Sequence, residues 1–172
     1  MKKYRDFAWA TLGEGILVLV MAAISWAARQ PLIFASIGPT VYELVEQPQL
    51  KSARAYNIIV GHFMGLGAGF LAVYLLNAWA SPNVIATGIV TPARLWAAAL
   101  AAALTTLVNL MLRAGQPAAL ATTLLVSLGA MQTRRAAVAI ILGVLIITAI
   151  GEPVRRFRLK HTQLQRQVTS GA

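Results

Sequence analysis

Gln116–Gly129 reads QPAALATTLLVSLG. It is mostly apolar, opened by Gln-Pro and closed by a glycine, and well short of the roughly 20 residues that carry a helix across a bilayer. An earlier stretch, Gln30–Thr40, reads QPLIFASIGPT and has the same character. Each begins with Gln-Pro just after a long apolar run. Proline lacks a backbone donor and glycine relaxes φ and ψ. In hydrocarbon, interrupted backbone survives only where protein or a water-filled cavity satisfies its polar groups. Two interruptions in corresponding places point to a binding or transport site at the interface of two repeats.

Around these stretches lie four long apolar runs: Phe7–Ala28, Ala55–Trp79, Ala93–Leu112 and Ala136–Ile150. Trp9 and Trp26 flank the first run, as suits the two membrane interfaces. It is too long for a signal-peptide core and is read as a retained span. The chain thus reads long–short–long twice. The expected fold is an all-α integral membrane protein of two related repeats, with four long transmembrane helices and two short broken or re-entrant segments. Residues 1–6 form a basic lead and 7–152 a membrane domain, with repeat one over about 7–79 and repeat two over about 93–152. Residues 153–172 form a basic tail, with Glu152-Pro153 expected to stop the last span. In the first short segment a helix is expected to start near Pro39 after an extended entry. If the short segments cross, each repeat has three crossings and the repeats are inverted; if they re-enter, each has two and the repeats are parallel. Charge favours six crossings, with Lys51, Arg54, Arg113 and the basic ends on one side and Arg29, Arg94, Arg134 and Arg135 on the other.

Of 172 residues, 58% are hydrophobic and only 12% charged, about half the charge of an ordinary soluble domain. The formal net charge of +10 resides largely in the ends. Basic ends on a hydrophobic chain read as cytoplasmic anchors in an inner membrane, not as a nucleic-acid surface. No cysteine is present, which removes disulfides, thiolate catalysis and Cys-ligated metals. Two histidines and five acidic residues make neither a metal cluster nor a paired-carboxylate site. No phosphate-binding, zinc-protease or serine-hydrolase motif occurs, so neither an enzyme nor a cofactor is expected.

Ser36, Gly38, Pro39 and Thr40, with Gln116, Pro117, Thr122 and Thr123, offer helix N-termini and hydroxyl donors that suit a small anion. Their other reading is helix breaking and capping. His62, inside an apolar run, is a candidate donor or proton carrier. Glu14 is a candidate proton relay or ion-pair partner, or a hydrated interfacial acid. Glu43 reads as solvated and Asn109 as packing. Gly61, Gly65 and Gly69 recur every four residues, a face on which another helix packs closely, within the chain or in a second copy. A homo-oligomer is expected, and Gly61, Gly65 and Gly69 also supply the competing reading, a non-transporting scaffold or sensor subunit.

These residues resemble the HPP family of small integral membrane proteins. Ser36-Ile37-Gly38-Pro39-Thr40 is similar to that family's S-L-G-P-T motif, and the segment from Pro48 through Asn57 to Gly61-His62 to its P…N…G-H segment. Gln116-Pro117-Ala118-Ala119 with Ala121-Thr122-Thr123-Leu124-Leu125 resembles the H-P-P-A-A-A-T-T-L-L stretch. Gln-Pro-Ala stands where the family has His-Pro-Pro, so a neutral amide replaces a titratable ring there. Members are linked to nitrite transport, and the resemblance implies a small monovalent anion as cargo in a lipid bilayer.

Overall fold

The computed structural model describes residues 2–170, with side-chain surroundings over residues 7–160. Seven α-helices follow in order: α1 Lys2–Ala28, α2 Ile37–Glu46, α3 Ala55–Leu75, α4 Val84–Thr87, α5 Pro92–Met111, α6 Pro117–Ser127 and α7 Arg134–Ser170; a 3-10 turn, Ala78–Ala80, follows α3. No strand occurs among the described residues. Four helices carry windows long and apolar enough to span a membrane: Phe7–Ala28, Ala55–Leu75, Pro92–Met111 and Arg134–Lys160. Their outward faces are covered with exposed apolar side chains such as Leu19, Trp26, Trp96 and Leu110, as lipid contact requires.

Polar contacts define the two ends of the bundle. At the first end, Arg135 donates to the Gln30 side chain (2.9 Å) and the Arg29 carbonyl (3.0 Å). Close in sequence to Arg135, Gln132 accepts from Arg94, which also bonds the Ser127 carbonyl. At the second end, Asn57 donates to the carbonyls of Arg113 and Gly115, Gln116 donates to that of Ser52, and Arg155 to that of Pro48. Trp9 packs edge-on against Phe157 there. The chain between Gln30 and Pro48 therefore passes from first end to second, and the chain between Arg113 and Gln132 passes back. Both short segments cross. Together with the four long helices they make six passages, the two halves run in opposite directions, and both ends of the chain meet the same face.

The first short crossing is half unwound: residues 29–36 descend without helix before α2 begins at Ile37, two residues earlier than Pro39. Gly143 on α7 makes room for that leg, since a Cβ there would lie 2.5 Å from the Leu32 carbonyl oxygen. The second short crossing is nearly all helix, capped by Gln116, whose side chain accepts from the Ala118 N–H. The two Gln-Pro pairs are thus not equivalent. Gln30-Pro31 lies at the first end, well before α2, whereas Gln116-Pro117 starts α6 at the second. Nor does Glu152-Pro153 stop α7, which runs on to Ser170 with Pro153 inside it. The turn is held by Glu152, which pairs with Arg155 and Arg156 at 2.7 Å each, one helical turn away on the same face.

Packing divides the helices into two groups of three. α2 leans mainly on α7 and α1, whereas α3, α5 and α6 pack closely on one another. Each half therefore contributes its second long helix to the other group. The seam between groups is crossed by α3 against α7 and, more lightly, by α2 against α6. The glycine face of α3 lies inside the second group: a Cβ at Gly61 would meet Gln116, at Gly65 the Ala119 carbonyl, and at Gly69 Val126. α6 thus covers the face that the scaffold reading reserves for a partner.

Candidate functional site

Ser36 ends the unwound leg and precedes α2, so its side chain stands where a helix begins in mid-protein. Thr40 follows one turn later on the same buried face. His62 lies two turns into α3, and Thr122 in the second turn of α6. All four are completely buried. Ser36 Oγ is 2.7 Å from Thr122 Oγ1, Thr122 Oγ1 is 2.7 Å from His62 Nδ1, and His62 Nε2 is 3.1 Å from Thr40 Oγ1. Thr40 closes the circuit by donating to the Ser36 carbonyl at 2.9 Å.

The direction of every bond follows from that last one. A carbonyl only accepts, so the Thr40 proton points to Ser36 and the Thr40 oxygen is left to accept from His62 Nε2–H. In neutral imidazole the other nitrogen is then an acceptor, so Thr122 donates to Nδ1. Thr122 has one hydrogen and has spent it, so it accepts from Ser36. The result is a closed ring of four donors and four acceptors around a neutral histidine. A proton added at Nδ1 would reverse two bonds and leave the Ser36 hydroxyl without its acceptor. The ring crosses the seam, with Ser36 and Thr40 from the α1–α2–α7 group and His62 and Thr122 from the α3–α5–α6 group.

The other residues singled out from the sequence fall elsewhere. Thr123 faces the opposite way from the ring, bonding Thr105 (2.8 Å), the Gly65 carbonyl (3.1 Å) and its own Ala119 carbonyl (3.0 Å). Gly38 and Pro39 are exposed on the outward side of α2, away from the ring. Gln116 and Pro117 start α6 more than a turn from Thr122, so the two helix N-termini do not converge on one point. α2 instead runs antiparallel to α6, with Ser36 level with Thr122. Glu14 lines an open groove between α1 and α2 with Thr11, Tyr42 and Glu46 and makes no bond to His62.

Two features are not legible from residue types. Glu43, expected in water, is 7% exposed, and its Oε2 has no hydrogen-bond partner. Its position three residues after Thr40, on the same helix face, was the available signal. Arg94, expected on the side opposite the basic ends, lies at the first end and is 1% exposed. It donates to the carbonyls of Pro82 (3.0 Å), Ser127 (3.1 Å) and Ser81 (2.6 Å) and to Gln132 Oε1 (3.0 Å). It ties the chain before α5 to the end of α6, and Gly129, at φ +95, admits its guanidinium. At the second end a cavity of about 340 Å³ is lined by Ser52, Thr105, Asn109, Gln116 and their neighbours. Asn109 is buried there, and its Oδ1 is unpaired.

A family model described as HPP, transmembrane region, matches residues 1–163. No curated protein and no solved structure matches the chain.

Proposed function

This chain belongs to the HPP transmembrane family and is an integral membrane protein, and from that premise we propose that it passes a small monovalent anion, nitrite foremost, through the Ser36–Thr122–His62–Thr40 ring. The observation that carries the reading is the ring itself, a buried set of hydroxyl and imidazole donors on the seam between two helix groups. Donors of this kind, with the free N–H groups at the start of α2 beside them, stabilise an anion without a fixed cation. No lysine or arginine lies in the ring, so an anion would be held modestly and released. In the state described the donors satisfy one another and the ring is shut. Opening is a small rotation of one group against the other, in which the Ser36 and Thr122 hydroxyls exchange each other for the anion. Transporters built from inverted halves place their sites at such seams.

The basic residues Lys51, Arg54, Arg113, Arg155, Arg156 and Lys160 gather at the second end, and we assign that face, with both chain ends, to the cytoplasm of an inner membrane. The test is flux into proteoliposomes of pure protein with nitrite, nitrate, chloride and sulfate outside. Uptake of one or more monovalent anions above protein-free vesicles, with sulfate excluded, is expected. Vesicles that move none of the four would refute the reading.

A further inference from the structure

We infer that Glu43 binds the proton that travels with the anion, so that passage is electroneutral symport. This rests on anion passage at the ring, and it names the coupling ion and the residue that holds it. Glu43 lies on the buried face of α2, one turn beyond Thr40 toward the second end. Ser52 and Gln116 offer side-chain hydrogen bonds to its carboxyl, and its Oε2 is unpaired.

Among the described residues, no cation pairs with it. Of the titratable and charged groups on the elements around α2, His62 is committed to Thr40 and Thr122. Arg155 bonds Glu152 and the Pro48 carbonyl. Glu14 and Glu46 carry the wrong sign, and Lys51 and Arg54 make no ion pair with it. An ionised carboxylate here has two neutral hydrogen-bond donors but no cation to offset its burial, whereas the neutral acid is tolerated. An anion leaving the ring toward the second end passes this carboxyl, because Glu43 and Gln116 are the next polar groups along the antiparallel α2 and α6. A carboxylate there would repel it, and a carboxylic acid would not.

On this inference water reaches Glu43 through the second-end cavity, whose wall includes Ser52 and Gln116, the two residues beside the carboxyl, and Asn109. In the cycle, a carboxylate oxygen of Glu43 takes a proton from water on one side and the anion enters the ring. After the seam reopens, the O–H bond breaks to water on the other side as the anion leaves. One proton and one anion move together, with no net charge transferred. His62 does not serve this purpose, because its protonation breaks the ring that holds it.

The experiment compares wild type with Glu43→Gln, which fixes the neutral shape, in proteoliposomes containing a pH dye. Nitrite and nitrate are the probes, and protein-free vesicles are subtracted to remove nitrous acid leakage. Wild type should acidify the lumen during uptake, ignore membrane potential, and speed up toward about tenfold per unit fall in external pH. Glu43→Gln should take up anion with no acidification, less than about twofold pH dependence, and a rate set by membrane potential. Glu43→Gln that still acidifies the lumen overturns the assignment, as does wild-type uptake without acidification; both leave anion passage standing. Wild type that moves neither anion overturns both readings. Should Glu43→Gln fail to fold, infrared spectra of the wild type decide: a protonated carboxyl band that shifts on adding nitrite supports the inference, and no such band refutes it.

Discussion

Thr122→Val is the most informative single change, because it keeps shape and removes one hydroxyl from the centre of the ring. That hydroxyl makes two bonds of 2.7 Å, to Ser36 and to His62. Buried side-chain bonds between membrane helices are worth about 0.6 kcal/mol on average and about 1.7 at most, so losing both weakens the closed state by about 1–3 kcal/mol. In the anion-bound state the same hydroxyl donates to a charge, a bond worth about 1.5–3 kcal/mol, or about 10–100-fold in affinity. The two effects oppose each other at low anion concentration and separate at saturation. The variant should show an apparent KM for nitrite raised about tenfold, with a maximal rate no lower than wild type because the shut ring opens more easily. Thr122→Ser should restore both. Initial rates in proteoliposomes across a nitrite series measure this, with thermal unfolding in detergent as a check on folding. A variant with an unchanged KM, or a fall in maximal rate alone, would show that Thr122 neither holds the anion nor shuts the seam.

Gly65→Ala should destabilise the α3–α6 contact, since its Cβ would fall 2.7 Å from the Ala119 carbonyl, whereas Gly67→Ala meets nothing within 4 Å and should be neutral or gain up to about 1 kcal/mol from helix propensity; paired melting curves in detergent separate the two. Gly143→Ala should lower the melting temperature and disturb transport together, because the unwound leg cannot retreat from a backbone clash at Leu32. Arg94→Met leaves four acceptors without their donor and should cost at least about 2 kcal/mol, with Arg94→Lys recovering only part of it, because a single ammonium does not match a planar fork; wild-type stability in the methionine variant would contradict the clamp.

The fold was largely readable because hydropathy reports lipid contact directly. The first three long runs appear as spans within a few residues, the fourth runs on past Ile150 to Lys160, and the charge asymmetry favours six crossings over four. What escaped were features that depend on a third dimension. A Gln-Pro pair looks the same whether it caps a helix, as Gln116 does, or sits at the first end of the bundle seven residues ahead of one, as Gln30 does. Pro153 looks like a stop until Glu152 is seen held between Arg155 and Arg156. Gly143 is one glycine in an apolar run, and only the passing Leu32 carbonyl gives it a purpose. At the site, residue type led to Ser36, Thr40, His62 and Thr122. Nothing in the sequence separated Thr122 from Thr123, adjacent hydroxyls on opposite faces of one helix, of which only the first reaches the ring. Glu43 differs from its solvated reading because a short segment with a loop close by does not reveal what packs over it, and the burial of Arg94, on the side where its charge places it, depends on the same kind of cover.

The exchange of helices between the halves explains why the ring is where it is. If each half packed as its own three-helix unit, the two interruptions would lie in separate cores and each would have to satisfy its own broken backbone. Because α3 joins α5 and α6, and α7 joins α1 and α2, each short crossing is held by one long helix from its own half and one from the other. α6 is fixed tightly by the small residues of α3, whereas α2 and its unwound leg rest on α7 by way of Gly143. The short segments then face each other across the seam, where α2 meets α6 only lightly and the ring supplies polar bonds, beside an apolar core that runs from Val41 and Ile140 on one side to Ile58, Leu66 and Val126 on the other. Movement is favoured beside the ring, since the two hydrogen bonds that cross the seam, Ser36–Thr122 and Thr40–His62, can be exchanged for an anion and water at little net cost, whereas apolar core costs about 25 cal/mol for each Å² exposed, which keeps the opening small. On this argument a cross-link that joins α2 to α6 beside the ring should abolish flux, while one that joins α3 to α6 along the glycine face should leave it intact. With no native cysteine in the chain, engineered pairs test this against a silent background. Flux that survives the first cross-link would place the moving boundary elsewhere.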